Sequence, residues 1–141
     1  MRRHSLPALF AGLCLASAAN AADLSIEVKG ARSEAGTLMI AVYDSAATFR
    51  KDGQETVALR VRARASAERI TLSGLPAGGY AIAVYHDENQ NQKLDTNLAG
   101  IPTEGNGFSN GAVGSFGPPE FAAAKLVLGA SPTLASVTLA Y

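Results

Sequence analysis

Apolar side chains fall on every second position through most of this chain, and that period constrains the fold more than any other feature. Leu24, Ile26 and Val28 alternate with Ser25, Glu27 and Lys29. Leu38, Ile40 and Val42 repeat the pattern, as do Val57, Leu59 and Val61 against Arg60, Arg62 and Arg64. Successive side chains of a strand point to opposite faces, so a period of two marks one face of each segment for burial. A short strand at Ile70 and Leu72 runs into the turn Leu75-Pro76-Ala77-Gly78-Gly79, whose Pro and Gly punctuate the chain. Tyr80 to Tyr85 is apolar on both parities, as expected of a central strand covered on both faces. Two further strands are expected near Ala122–Leu128 and Leu134–Ala140, and only Ser45–Lys51 has room for a helical turn.

Seven short strands with turns between them predict an all-β chain. The expected architecture is a seven-stranded antiparallel β-sandwich of immunoglobulin or transthyretin type, with a small closed barrel as the alternative. The strand pattern lapses once, from Asp87 to Pro119, a stretch of 33 residues that carries six glycines. Unstructured loops of this length are uncommon in compact domains and are usually functional or disordered. One long ordered loop is therefore expected.

Residues 1–21 do not belong to this pattern. Arg2 and Arg3 precede the apolar run Leu6–Ala18, and Ala19-Asn20-Ala21 forms an A-x-A cleavage site. That is the layout of a secretory signal peptide, and its apolar run is too short to span a bilayer. Leu13 before Cys14 is bulky where a lipoprotein signal needs small residues, so plain export to the periplasm or beyond is expected. Removal of 21 residues leaves one domain, 22–141, of 120 residues with no cysteine, one histidine and a charge of −2. A chain of this length buries roughly two-thirds of its unfolded surface. With 12 basic and 12 acidic side chains overall, it lacks the basic surplus of a nucleic-acid binder. The missing cysteines also exclude a disulfide framework.

The long loop opens His86-Asp87-Glu88-Asn89-Gln90-Asn91-Gln92-Lys93-Leu94-Asp95. Oxygen-bearing side chains stand at Asp87, Asn89, Asn91 and Asp95, with Lys93 placed to offer its backbone carbonyl. Calcium takes six to eight oxygen ligands, and alternate residues of a tight turn aim side chains at one centre. The spacing therefore predicts a lightly charged calcium site between strands. Gln92 stands where a calcium loop commonly has glycine, and Leu98 where it has its closing glutamate. Glu104 is the nearest replacement, with Asp44 and Asp52 as alternatives across the fold. The competing account is a polar turn in which Asp and Asn cap their own backbone.

The run from Gly78 to Ala112, followed by Gly117-Pro118-Pro119-Glu120-Phe121, resembles the bacterial secreted-protein family known as domain of unknown function 2141. The resemblance rests on Gly79, Tyr80, His86, Asp87, Asn89, Asn91, Leu94 and Asp95. It continues through Gly100, Pro102, Glu104, Gly107, Phe108, Ser109 and Asn110. Family members often carry glycine at the position of Gln92. The resemblance implies a secreted β-sandwich of Gram-negative type and supplies no activity or substrate. It also implies that His86 to Asn110 act as one unit.

His86 at the end of a strand is expected to brace the loop by hydrogen bonding; as the only histidine of the exported domain, it makes a zinc site improbable. The row Arg60, Arg62, Arg64 is expected to be the solvated face of an edge strand, with anion binding as the sharper alternative. Phe108 and Phe116 are expected either to pin the loop or to form a recognition patch. The functional expectation is an exported binding or structural module, its partner a protein or envelope component. A contrasting expectation is an enzyme using His86, Asp87 and Glu104, which requires those side chains to line a pocket. A third is a subunit of an envelope assembly.

Overall fold

A computed structural model describes residues 21–141. The expected signal sequence, apart from Ala21, and Cys14 lie outside the described residues. The described residues form eight strands: β1 (Ala21–Lys29), β2 (Thr37–Tyr43), β3 (Val57–Arg62), β4 (Glu68–Pro76), β5 (Gly78–Asp87), β6 (Asn106–Phe108), β7 (Leu126–Leu128) and β8 (Thr133–Thr138). A 3-10 turn at Ser109–Gly111 follows β6, and a single helical turn, α1 (Phe121–Ala124), precedes β7. Among the described residues no helix is long and apolar enough to cross a membrane.

The strands build an all-β sandwich. One sheet has the order β4-β1-β8; the other runs β3-β2-β5-β6, with β7 also paired to β5. The alternating residues point inward as their period requires. Leu24, Ile26 and Val28 of β1, Leu38, Ile40 and Val42 of β2, and Tyr80, Ile82 and Val84 of β5 meet Ala135 and Val137 of β8 in one core. The two sheets are separate, apart from an isolated bridge between Asn106 and Ala140 at one corner, so the architecture is not the alternative barrel.

Three expectations are corrected. The strand count is eight, because β6 lies inside the stretch expected to hold no strand; the tip of that stretch is also bridged between Thr96 and Pro102. Asn106-Gly107-Phe108 is too short to display a period. It forms because Gly107 has no side chain: a Cβ there would stand 2.4 Å from the Thr138 carbonyl oxygen. Second, the sheets are not wholly antiparallel, since β1 and β8 pair in parallel. Third, Ala122–Leu128 is not one strand. The helix-favouring run Phe121–Ala124 takes a helical turn, leaving only Leu126–Leu128 extended.

The expectation for β5 holds on both faces. Its outer residues Ala81 and Ala83 lie under a second, smaller core built from Tyr43, Phe49, Phe108, Phe121 and Ala124. Phe49 is the hub, with ring centroids 5.5 Å from Tyr43, 6.1 Å from Phe108 and 5.8 Å from Phe121, all edge-to-face. Phe49 reaches this position from the turn at Ser45–Lys51, whose Phe49 N–H donates to the Ser45 carbonyl. β3 is the outer strand of its sheet, and Arg60, Arg62 and Arg64 are exposed on it and just beyond it, as expected of a charged edge.

Candidate functional site

β5 delivers His86 and Asp87 to the end of the sandwich, and both side chains are buried there, at 0% and 1% exposure. The His86 Nε2–H donates to the Ala35 carbonyl at 2.6 Å. In the neutral ring Nδ1 is then the acceptor, and it takes the Tyr141 hydroxyl at 2.7 Å. That hydroxyl also accepts the Arg32 backbone N–H at 3.0 Å, while the Arg32 guanidinium lies 4.4 Å over the Tyr141 ring. His86 thus braces the β1–β2 connection, the loop root and Tyr141 together. Gly105 lies flat on the same ring, where an added Cβ would stand 2.3 Å from it.

The loop then folds around its own Asp and Asn side chains. Asp87 accepts the backbone N–H of Asn91 at 3.1 Å on Oδ1 and that of Gln92 at 2.8 Å on Oδ2. Asn89 Oδ1 also accepts from Asn91 N–H at 3.1 Å, and Asn91 Oδ1 accepts from Lys93 N–H at 2.9 Å. The amides of Asn89 and Asn91 each donate to one Asp95 carboxylate oxygen. Gln90 and Gln92 take left-handed backbone conformations, φ 62° and 64°. The sharp bend normally made by glycine is therefore present, although glutamine occupies it.

Glu104 closes the loop. Only 5% exposed, its carboxylate accepts the Glu88 N–H at 2.9 Å and the Asp95 N–H at 3.1 Å, joining the entry of the loop to its exit. Five of the predicted site residues, Asp87, Asn89, Asn91, Asp95 and Glu104, are thus linked through one hydrogen-bonded loop. The Lys93 side chain is exposed. Asp44 and Asp52 are exposed too, and neither hydrogen-bonds to the loop. Among the described residues no three His, Cys, Asp or Glu side chains form a metal-holding group by themselves, so a cation here needs the amide and carbonyl oxygens as well.

The charges are unevenly satisfied. Glu88 faces outward to Arg32, at 2.5 Å, and to the Ser33 hydroxyl; the Arg32 guanidinium holds its carboxyl below the usual range. Asp87, Asp95 and Glu104 have no Lys or Arg partner among the described residues. Two shallow surface depressions are lined by other residues, one around Arg60, Arg62 and Glu34, the other along Val113–Ala123. His86, Asp87 and Glu104 line neither.

The two phenylalanines separate. Phe108 pins the segment to the outer core, whereas Phe116 is fully exposed. Beside Phe108, Ser109 fills a gap in the β5 ladder, which pairs with β6 at 83–85 and with β7 at 78–80. Its buried Oγ accepts the Ile82 N–H at 2.9 Å and donates to the Ala124 carbonyl. Ser109→Ala orphans a buried donor, which costs about 2 kcal/mol. A shifted urea midpoint at unchanged slope is the expected readout. Sequence reasoning did not assign Arg32, Gly36, Glu88 and Tyr141 to the site. Only Glu88 lies in the motif; the others join from distant segments and carry no local signal.

These features define a class: an all-β sandwich domain with a polar, self-closed Asp/Asn loop at one end. The chain belongs to the family described as an uncharacterized protein conserved in bacteria, domain of unknown function 2141, whose model matches residues 26–135. No curated protein and no solved structure matches it.

Proposed function

We propose that the chain is an exported binding or structural module whose 87–104 loop is stabilised by calcium. The observation that carries the reading is the set of three carboxylates, Asp87, Asp95 and Glu104, joined through one loop without a Lys or Arg partner among the described residues. A hard cation offsets such charge, and the neutral amides of Asn89 and Asn91 add oxygens without adding repulsion. Ligation by the amides requires Asn89 and Asn91 to give up their bonds to the Asp95 carboxylate and to the Asn91 and Lys93 N–H groups. The order that calcium gives to Asp87–Glu104 steadies the neighbouring apolar loop residues. Four of the seven large exposed hydrophobic side chains among the described residues, Leu98, Ile101, Val113 and Phe116, lie between residues 98 and 116. Such side chains suit a module that meets a protein or envelope partner. The signal-peptide layout of residues 1–21 supports export.

Thermal unfolding tests the reading. With calcium at 100 times its dissociation constant, stability rises by about 2.7 kcal/mol over the chelated protein. For a domain of this size that corresponds to roughly 10 °C in Tm. An Asp95→Asn variant is expected to lose most of the increment. Equal melting temperatures in chelator and in millimolar calcium would sink the proposal.

A further inference from the structure

We infer that the outer edge of β3 takes up an extended, acidic segment of another protein as an added antiparallel strand. The two sides of the sandwich differ. On one, β6 and the end of the chain after β8 are joined by reciprocal backbone bonds between Asn106 and Ala140, both at 2.9 Å. On the other, β3 and β4 are each the outermost strand of their sheet. β4 is a poor template: its register with β1 slips between Ala22 and Leu24, and Gly74 turns left-handed at φ 73°. Such irregularity blunts an edge. β3, by contrast, pairs with β2 from Val57 to Arg62 without a slip.

Alternate residues of β3 keep their backbone groups free. The Ala63 N–H donates to the Gly36 carbonyl at 3.3 Å, one step beyond the pair Arg62–Thr37. Antiparallel pairs alternate between hydrogen-bonded and non-hydrogen-bonded, so Val57, Leu59 and Val61 turn their backbone groups to β2. Ala58, Arg60 and Arg62 turn theirs outward. β5 requires the same phase. Its His86 and Ile82 N–H groups point to the β6 side, which leaves Tyr85 and Ala83 for Met39 and Ala41 and commits Leu38 and Ile40 to β3.

The side chains select the partner. Leu59 and Val61 are only partly buried against the core, so apolar side chains on the inward positions of an added strand extend the covered face. The outward row is Ala58, Arg60 and Arg62. Arg60 donates to the neutral Gln92 side chain at 2.8 Å, and neither arginine pairs with a carboxylate among the described residues. Glu34 and Glu55 lie beyond the two ends of the β2–β3 pairing, and Glu88 is held by Arg32. Side chains directly opposite across two strands attract when oppositely charged and destabilise the pair when alike. A second copy of this edge would set arginine against arginine, whereas carboxylates on alternate positions meet Arg60 and Arg62. Affinity then comes from the backbone and specificity from the alternate side chains. The edge belongs to β3 and not to the Asp87–Glu104 loop, so the inference goes beyond the calcium reading and stands without it.

The probe is a short fluorescein-labelled peptide alternating glutamate with valine, and its counterpart carries lysine in place of glutamate. Binding to the full chain is read by anisotropy in chelator at low salt, so that calcium plays no part. The glutamate peptide is expected to bind at least about tenfold tighter than the lysine peptide, and the double variant Arg60→Glu, Arg62→Glu to reverse that order. Amide exchange separates strand addition from attraction between charges alone. The bound glutamate peptide is expected to slow exchange at Ala58, Arg60 and Arg62, while Leu59 and Val61 stay as slow as before. Ala58→Pro loses no bond to β2, because that N–H faces outward. It is expected to weaken binding about fivefold or more at an unchanged melting temperature. No binding, equal binding of the two peptides, or binding without added protection at those three amides would overturn the inference.

Discussion

Gly36→Ala is expected to lower the unfolding free energy by about 3–4 kcal/mol, from the left-handed backbone penalty and the cost of overpacking together. Gly36 has φ 73°, and a Cβ there would stand 2.0 Å from the Asp87 carbonyl oxygen and 2.7 Å from the Glu88 Cα. Both of the nearest atoms are backbone, so no side chain can swing aside. The left-handed conformation alone costs a residue with a Cβ about 1–2 kcal/mol, and forcing two packed backbones apart costs a further 1–3 kcal/mol, roughly. The chain must yield where β2 begins beside the end of β5, at the root of the Asp/Asn loop. The loss is therefore expected to reach the loop as well, as faster hydrogen exchange at the Asn91 and Gln92 amides that Asp87 holds. An unfolding free energy within about 0.5 kcal/mol of the parent, the range of a neutral surface change, would show that the two segments do not meet as described.

Glu104→Ala is the second large effect, about 3 kcal/mol. Hydrogen bonds to a charged acceptor contribute roughly 1.5–3 kcal/mol each, and Glu104 holds two, from Glu88 N–H and Asp95 N–H. Water entering the vacated space restores part of that, which keeps the expected loss near the lower end of the pair's sum. Glu104→Gln separates geometry from charge: its single carbonyl oxygen serves one N–H, so about half of the loss is expected. Hydrogen exchange at Glu88 and Asp95 should rise in Glu104→Ala before the core amides of β1 and β5 respond, because the loop opens locally. Should calcium bind, Glu104→Ala also removes most of the calcium-dependent rise in Tm, whereas Ser109→Ala, outside the loop, leaves that rise intact.

The faces of the strands were legible because burial imposes a local rule. Leu24, Ile26 and Val28 point inward for the same reason that Ser25, Glu27 and Lys29 do not. The double-parity run at Tyr80–Tyr85 announced a covered strand, yet not its cover, since Phe49 reaches Ala81 from another connection. Asp87, Asn89, Asn91 and Asp95 were legible as a group because their spacing confines them to one turn. Glu104 was legible only as the nearest spare carboxylate; its part in closing the loop depends on β6 turning back along β5. That return is carried by three residues, one of them a glycine, too few for any period to appear.

The amino-acid sequence by itself determined the strand faces and the polar turn, because both follow from neighbours a few residues apart. The tertiary structure alone decided what locks that turn in place. His86 meets Tyr141 across 55 positions, and Arg32 meets Tyr141 across 109. Gly36 matters only because β2 lies against β5. Such contacts have no local pattern to betray them. They exist because strands pair within each sheet and the two sheets pack together, and both bring together residues that the chain order keeps apart.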